Sequence, residues 1–275
     1  PVIFSIQVSL ASLLKEIGIE YDTVCGHSLG EVAAAYSSGL ISFKSAIKII
    51  QTRSQIMRRL SGKGIMISVS LTEEIAQEYL KEYQNTSIGV INTKESVVIS
   101  GDNEEIIDLE QKLKNNGVRY KYLPVNNAFH YVGLESYREE FVESVGKIRS
   151  KPSPVKYIST VTGEPINTRY LNEEYWANNM INTVQFAQAA EYLSKDSDVV
   201  LEVGPSSVLM FYLLSYETIE VIPVQRRNIS PSLELLNTVS KVFNLGIEVN
   251  WEALNIVSGN RVYLPKYSFS KNKIW

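Results

Sequence analysis

The stretch "YDTVCGHSLGEVAAAY", 21–36, constrains the fold more than any other. A short apolar run reaches Gly26, a serine sits between two glycines at G-x-S-x-G spacing, and a helix-forming run follows. That order reads as strand, sharp turn and helix, an arrangement that exposes a serine hydroxyl at the top of a sheet. Gly26 and Gly30 let the chain turn there, since larger side chains are expected to collide with the neighbouring strand or helix. Ser28 then lies at a helix N-terminus, where unpaired N–H groups favour negative charge, and the Leu29 N–H is the first donor to a developing oxyanion. A serine in this place is equally an ordinary helix N-cap, so the motif needs support from the rest of the chain.

The remaining sequence alternates between helix and strand. Ile3, Ile6, Leu10, Leu13, Leu14 and Ile17 recur at helical spacing almost from the first residue, and Gly18 ends the pattern as a C-cap. The chain opens inside an amphipathic helix, without a starting Met or a basic signal-peptide region, and reads as a piece of a longer polypeptide. Helices are expected over 28–39 and 43–60. Between 64 and 124 come strand "IMISVS", a helix from Thr72, strands "SIGVIN" and "SVVIS", a helix from Asn103 and strand "VRYKYL". This βαββαβ order is that of a ferredoxin-like unit inserted into a larger one. The larger unit resumes after Pro124 with helix "YVGLESYREEFVESVGKI" and strands "VKYIST" and "VVLEVGP".

Composition removes several function classes. At 275 residues and 44% hydrophobic content the chain can bury a full core. A net charge of -3 gives no overall basic footprint for nucleic acid. One cysteine, Cys25, excludes an internal disulfide and any metal site with several thiolates, and fits a reducing compartment. No apolar run reaches the roughly 18 residues that span a bilayer. The expected setting is the cytoplasm, with neither nucleic acid nor membrane as a partner.

A nucleophilic serine needs a base, and the chain has two histidines. His27 adjoins Ser28, and neighbouring side chains on a strand or turn diverge, so a structural or surface role is expected for it. His130, in "PVNNAFHYVG", is the other candidate, although a lone histidine is more often structural. An α/β-hydrolase runs serine, acid, histidine, with the histidine late in the chain. Here no histidine follows His130, and the Asp-Gly-Gly or Asp-Gly-Ala signature of a patatin-like enzyme is absent. Arg53 falls on the stripe Ala46, Ile49, Ile50, Arg53, Met57 and Leu60, the face that the periodicity turns inward. A buried arginine is costly unless it meets an anion, and its fork matches a carboxylate. A snorkelling or salt-bridged helix arginine is the alternative.

In chain order, "GHSLGE", the ferredoxin-like insertion, "NAFH", "YW" at Tyr175 and Trp176, and "EVGPSSVL" resemble the malonyl-CoA:acyl-carrier-protein transacylase family. "NWEAL" followed by "RVYLPKYSFSKNKIW" resembles the segment after acyltransferase domains of modular type I polyketide synthases. The resemblance implies an α/β fold with an α/β-hydrolase-like subdomain (1–61 and 124–258), a ferredoxin-like subdomain (62–123) and a linker (259–275). In that linker Pro265, Tyr267, Phe269 and Trp275 are expected to dock on the preceding surface.

The resemblance also implies Ser28 as nucleophile, His130 as its base and Leu29 as oxyanion-hole donor. A backbone carbonyl near Glu202-Val203-Gly204-Pro205 would orient the base in place of a carboxylate. Arg53 would meet the free carboxylate of a malonyl unit. "NAFH" is similar to the His-Ala-Phe-His pattern of malonyl selection, with Phe129 filling the space of an α-methyl group. Asn127 stands for the first His of that pattern and Tyr131 for the usual Ser after the base. Implied partners are malonyl-CoA, the phosphopantetheine thiol of an acyl carrier protein and neighbouring domains such as a ketosynthase, with no bound metal or redox cofactor. The family begins with a strand and a Gly-Gln-Gly loop, and this sequence starts after that point. Two rival readings therefore stand beside acyl transfer: a non-catalytic docking remnant, and a serine thioesterase or esterase.

Overall fold

The computed structural model describes residues 1–254, 263–265 and 267. Helix α1 (Val2–Glu16) leads to strand β1 (Thr23–Cys25), the serine turn, and helices α2 (Gly30–Ser37) and α3 (Phe43–Arg59). The α3 helix starts at Ser42, whose Oγ accepts the Ser45 N–H at 3.1 Å, and ends on Arg58 and Arg59, which complement the negative end of its dipole. Ala46, Ile49, Ile50, Arg53, Ile56 and Met57 are buried along one side of it, the stripe that the periodicity marks.

Strand β2 (Ile65–Val69), helix α4 (Glu73–Leu80), strands β3 (Thr86–Thr93) and β4 (Ser96–Gly101), helix α5 (Asn103–Asn115) and strand β5 (Tyr120–Tyr122) follow in the expected βαββαβ order. Their spatial order, β5-β2-β4-β3, with antiparallel pairing throughout, is the ferredoxin-like arrangement. Alternate residues serve two cores. Ile67, Val69, Val97 and Ile99 pack with Ile106, Leu109 and Leu113 of α5, while Met66 and Val98 face the main core. The alternation slips at Gly89, where the β3–β4 register shifts between Ile88 and Val90. Val90 thereby joins the main core, and Ile88 and Ile91 stay with the small one.

The segment expected as one helix after Tyr131 is split into a 3-10 turn (Val132–Tyr137) and helix α6 (Arg138–Val145). Gly133 lies against the Tyr131 ring, and the Leu134 N–H closes an i to i+3 bond to the Tyr131 carbonyl at 3.0 Å. Gly146, at φ 62°, then ends α6. The chain continues through β6 (Lys156–Ile158), α7 (Glu173–Ile181), β7 (Val184–Gln185), α8 (Phe186–Asp196), β8 (Val199–Glu202), α9 (Met210–Leu213), β9 (Glu220–Pro223) and α10 (Pro231–Asn244).

Parallel pairs β1–β6 and β8–β9 form the strands of the large unit, and β7 adds to the small sheet as a parallel neighbour of β3. The ferredoxin-like sheet is thus extended by a strand that comes from outside residues 62–123. Trp176, Tyr157, Phe4, Phe141 and Leu40 are among the side chains that fill the main core. Among the described residues no helix is long and apolar enough to cross a membrane. Of the tail, Tyr263, Leu264, Pro265 and Tyr267 are exposed, and Phe269 and Trp275 lie outside the described residues.

Candidate active site

Strand β1 delivers the chain to Gly26, where a Cβ would overlap the backbone of Gly30 and Glu31. Ser28 is held at φ 53°, in the left-handed region, a strain of about 1–3 kcal/mol that elbows of this kind carry. The N–H groups of Gly30, Glu31 and Val32 bond to the carbonyls of His27, Ser28 and Leu29 at 2.9, 3.1 and 3.2 Å, which closes the first turn. The Leu29 N–H stays outside that ladder.

Gly30 does not need to be glycine, contrary to expectation, because a Cβ there would meet only Gln7 Nε2 at 3.6 Å. Gly26→Ala is therefore expected to lower the midpoint of thermal unfolding by roughly 3–10 °C, from an overpacking cost of about 1–3 kcal/mol. Gly30→Ala, at the start of α2, should leave the midpoint nearly in place. Equal shifts in calorimetry would contradict the assignment of the tight approach to Gly26.

His130 is brought to this turn at φ 57°. Its Nε2 lies 2.5 Å from Ser28 Oγ and its Nδ1 lies 3.0 Å from the Asn182 carbonyl. Facing a carbonyl, Nδ1 must carry the proton, which leaves Nε2 as the acceptor toward the serine. Asn182 is the C-cap of α7, so its carbonyl is one of those a helix leaves unpaired, and the negative helix end favours an imidazolium beside it.

The expected source of that carbonyl, Glu202-Val203-Gly204-Pro205, is corrected to Asn182. Glu202 instead accepts the N–H groups of Val208, Leu209 and Met210 at 2.7, 2.8 and 2.9 Å, and the Val203 carbonyl accepts Gln7 Nε2 at 3.3 Å. Burial, followed by the charges of Arg53 and His27, pushes the His130 imidazole well below its ordinary 6.5, against the opposing bond to Asn182. It is neutral at pH 7. Gly89 in β3 makes room for this segment, since a Cβ there would stand 3.1 Å from the His130 carbonyl and 3.2 Å from that of Phe129.

Arg53 reaches the same hydroxyl from α3. The side chain is 6% exposed; Nη2 donates to Ser28 Oγ at 3.0 Å and Nη1 to Asn179 Oδ1 at 2.8 Å. Burial pulls the guanidinium down to about 10, opposed by the Glu31 carboxylate, so it stays charged at neutral pH. Among the described residues Arg53 makes no salt bridge. Glu31, on α2, is fully buried and accepts Tyr175 OH at 2.7 Å, Thr160 Oγ1 at 2.9 Å, Asn179 Nδ2 at 3.0 Å and the Thr160 N–H. Burial raises its pKa, and these donors hold it back.

The structure gathers Ser28, Leu29, His130 and Arg53 at one point. It places Asn127 elsewhere: Nδ2 donates to the Met57 carbonyl at 2.5 Å, which ties the "NAFH" segment to the end of α3. Phe129 is partly buried against the main core, and Tyr131 is buried within it. His27 turns away from the serine, with Nε2 3.3 Å from Asn92 Oδ1 and its ring 5.3 Å from that of Phe186. Sequence reasoning passed over Glu31, Asn179 and Asn182. A signal existed for the first: Glu31 is a charged residue inside the apolar helical run "GEVAAAY".

A family model described as "Acyl transferase domain" matches residues 1–244. The chain belongs to the acyl transferase domain family. Polyketide synthase GfsB of Streptomyces halstedii is 34% identical over 285 residues, which cover 100% of this chain and 5% of that protein. The pikromycin polyketide synthase component PikAII of Streptomyces venezuelae is 32% identical over 279 residues, covering 100% and 7%. This acyl transferase domain thus spans less than a tenth of either relative.

Among solved structures, the acyltransferase domain from module 8 of the salinomycin polyketide synthase superposes with a TM-score of 0.85 at 28% identity, over 92% of this chain and 62% of that one. A loading acyltransferase from the avermectin modular polyketide synthase gives 0.81 at 31% identity, over 88% and 79%. The acyl transferase domain therefore has the two-subdomain α/β fold of polyketide synthase acyltransferases.

Proposed function

We propose that this acyl transferase domain moves a malonyl unit from malonyl-CoA, through an acyl-serine, to the phosphopantetheine thiol of an acyl carrier protein. The reading rests on one observation: Ser28 Oγ stands between a neutral imidazole at 2.5 Å and a buried guanidinium at 3.0 Å. The first is a base for the hydroxyl proton. The second is a cation that meets no carboxylate among the described residues, placed where an acyl-serine would carry its free carboxyl group. Polyketide synthases among the relatives support the carrier protein as acceptor and a ketosynthase as neighbour, in the cytoplasm.

His130 Nε2 takes the Ser28 proton as Oγ attacks the thioester carbonyl. The oxyanion develops beside the Leu29 N–H and the positive end of α2. Its collapse expels the CoA sulfur, which takes the proton back from His130. The carrier thiol then gives its proton to His130 and attacks the acyl-serine, and Ser28 Oγ leaves and recovers that proton. All the protons move among Ser28, His130 and the two thiols, so the proposed reaction calls for no metal or redox cofactor. Phe129 is assigned the space of an α-methyl group. Asn127 supports it by anchoring the segment to α3.

Arg53→Ala tests the acyl group. Losing a charged hydrogen bond costs roughly ten- to a hundredfold in malonyl kcat/KM, whereas acetyl-CoA has no carboxylate and should lose much less. Transfer of both groups to a carrier protein measures the difference. Equal losses would reduce Arg53 to a support of the fold and remove the malonyl reading. Release of malonate at the same rate with and without carrier protein would favour an esterase.

A further inference from the structure

Asn179 stands between the two buried charges of the site. Its Oδ1 accepts Arg53 Nη1 at 2.8 Å, and its Nδ2 donates to Glu31 Oε2 at 3.0 Å and to the Ser28 carbonyl at 3.1 Å. The residue is 3% exposed, in the second turn of α7. A primary amide is a side chain that can offer an acceptor to a guanidinium and donors to a carboxylate without adding charge of its own. Glu31 is already saturated. Its two oxygens take the Tyr175 hydroxyl, the Thr160 hydroxyl, the Thr160 N–H and the Asn179 amide, which fills about four lone-pair sites. It therefore balances the Arg53 charge across the amide and does not dock on the guanidinium.

We propose that Asn179 is a positioning residue that insulates Arg53 from Glu31, holding the guanidinium on Ser28 and keeping its charge open for the carboxylate of the acyl group. The inference rests on the malonyl reading above. A direct Glu31–Arg53 pair would be bidentate and charge-assisted, and an incoming carboxylate would have to displace it. With the amide interposed, the acyl carboxylate competes, among the described residues, against neutral partners: the Asn179 oxygen, the Ser28 hydroxyl and, at 3.5 Å, His130 Nε2.

Asn179→Asp tests this in the purified protein, because the change is nearly isosteric and places a carboxylate on Arg53. Malonyl and acetyl transfer from CoA to a carrier protein are measured side by side. The malonyl-to-acetyl ratio of kcat/KM should fall by about tenfold or more, chiefly through a higher malonyl KM. The new anion should also raise the His130 pKa, moving the acidic limb of acetyl transfer to higher pH. Asn179→Ala removes the tether without adding charge, so the ratio should fall by a smaller factor and the limb should not rise. An unchanged ratio in both variants, or loss of folded protein by circular dichroism in both, assigns Asn179 to the fold alone and overturns the inference. A wild type that does not prefer malonyl to acetyl would overturn the malonyl reading and this inference with it.

Discussion

Ser28→Ala, incubated with malonyl-CoA, is expected to show no acyl adduct by intact mass, whereas the unaltered protein gains the mass of one malonyl group. Among the described residues the hydroxyl oxygen alone bonds to both the base and the buried guanidinium, at 2.5 and 3.0 Å. Its removal leaves no oxygen for the carbonyl to reach. Transfer to the carrier thiol should fall by roughly 10³-fold or more, since positioned charges without a nucleophile retain a small part of the rate. The fold should survive, because alanine and serine bear similar strain at φ 53° and the elbow is set by Gly26. A malonyl adduct that persists in Ser28→Ala would place the nucleophile elsewhere and sink the assignment.

What was legible in the sequence was whatever local pattern carries. The G-x-S-x-G turn, the inward face of α3 and the βαββαβ rhythm are all written within a few residues of one another, as periodicity or as turn chemistry. What was not legible depends on distant segments meeting. Helix α7 buries Tyr175, Trp176, Ala177, Asn179, Met180 and Ile181, so nearly every side is apolar and no amphipathic stripe announces it. Strand β7 has two residues, Val184 and Gln185, and exists because β3 offers an edge beside it.

The site follows the same division. Ser28 is apparent from its turn and Arg53 from its own helix. The Asn182 carbonyl has no side-chain signature, since any residue supplies one, and only the end of α7 beside His130 makes it the acceptor. The family resemblance puts that carbonyl near Glu202, whose carboxylate is occupied by the turn at Val208 to Met210, while the carbonyls of Glu202 and Val203 accept from Val224 N–H and Gln7 Nε2. Glu31 lay in plain view three residues after the serine. It went unread because its partners, Thr160, Tyr175 and Asn179, come from far along the chain.

His130→Ala should slow acylation by roughly 10²- to 10⁴-fold, the usual contribution of a positioned base, while the protein stays folded. The pH dependence makes the test specific. The imidazole is held well below 6.5 by burial first and then by the Arg53 and His27 charges, and only its neutral form can take the Ser28 proton. A lowered pKa means that protonation, and with it loss of the base, sets in at lower pH than for an ordinary histidine. The acidic limb of kcat/KM for malonyl transfer should therefore lie below 6.5. Arg53→Ala removes the second of these causes, so with acetyl-CoA its limb should move upward toward the ordinary value. In His130→Ala the limb should vanish, since no group is left whose protonation removes the base. Acylation rates taken by rapid quench across the acid range check all three. A limb above 6.5 in the unaltered protein, or one that persists without the imidazole, would assign the proton transfer to another group.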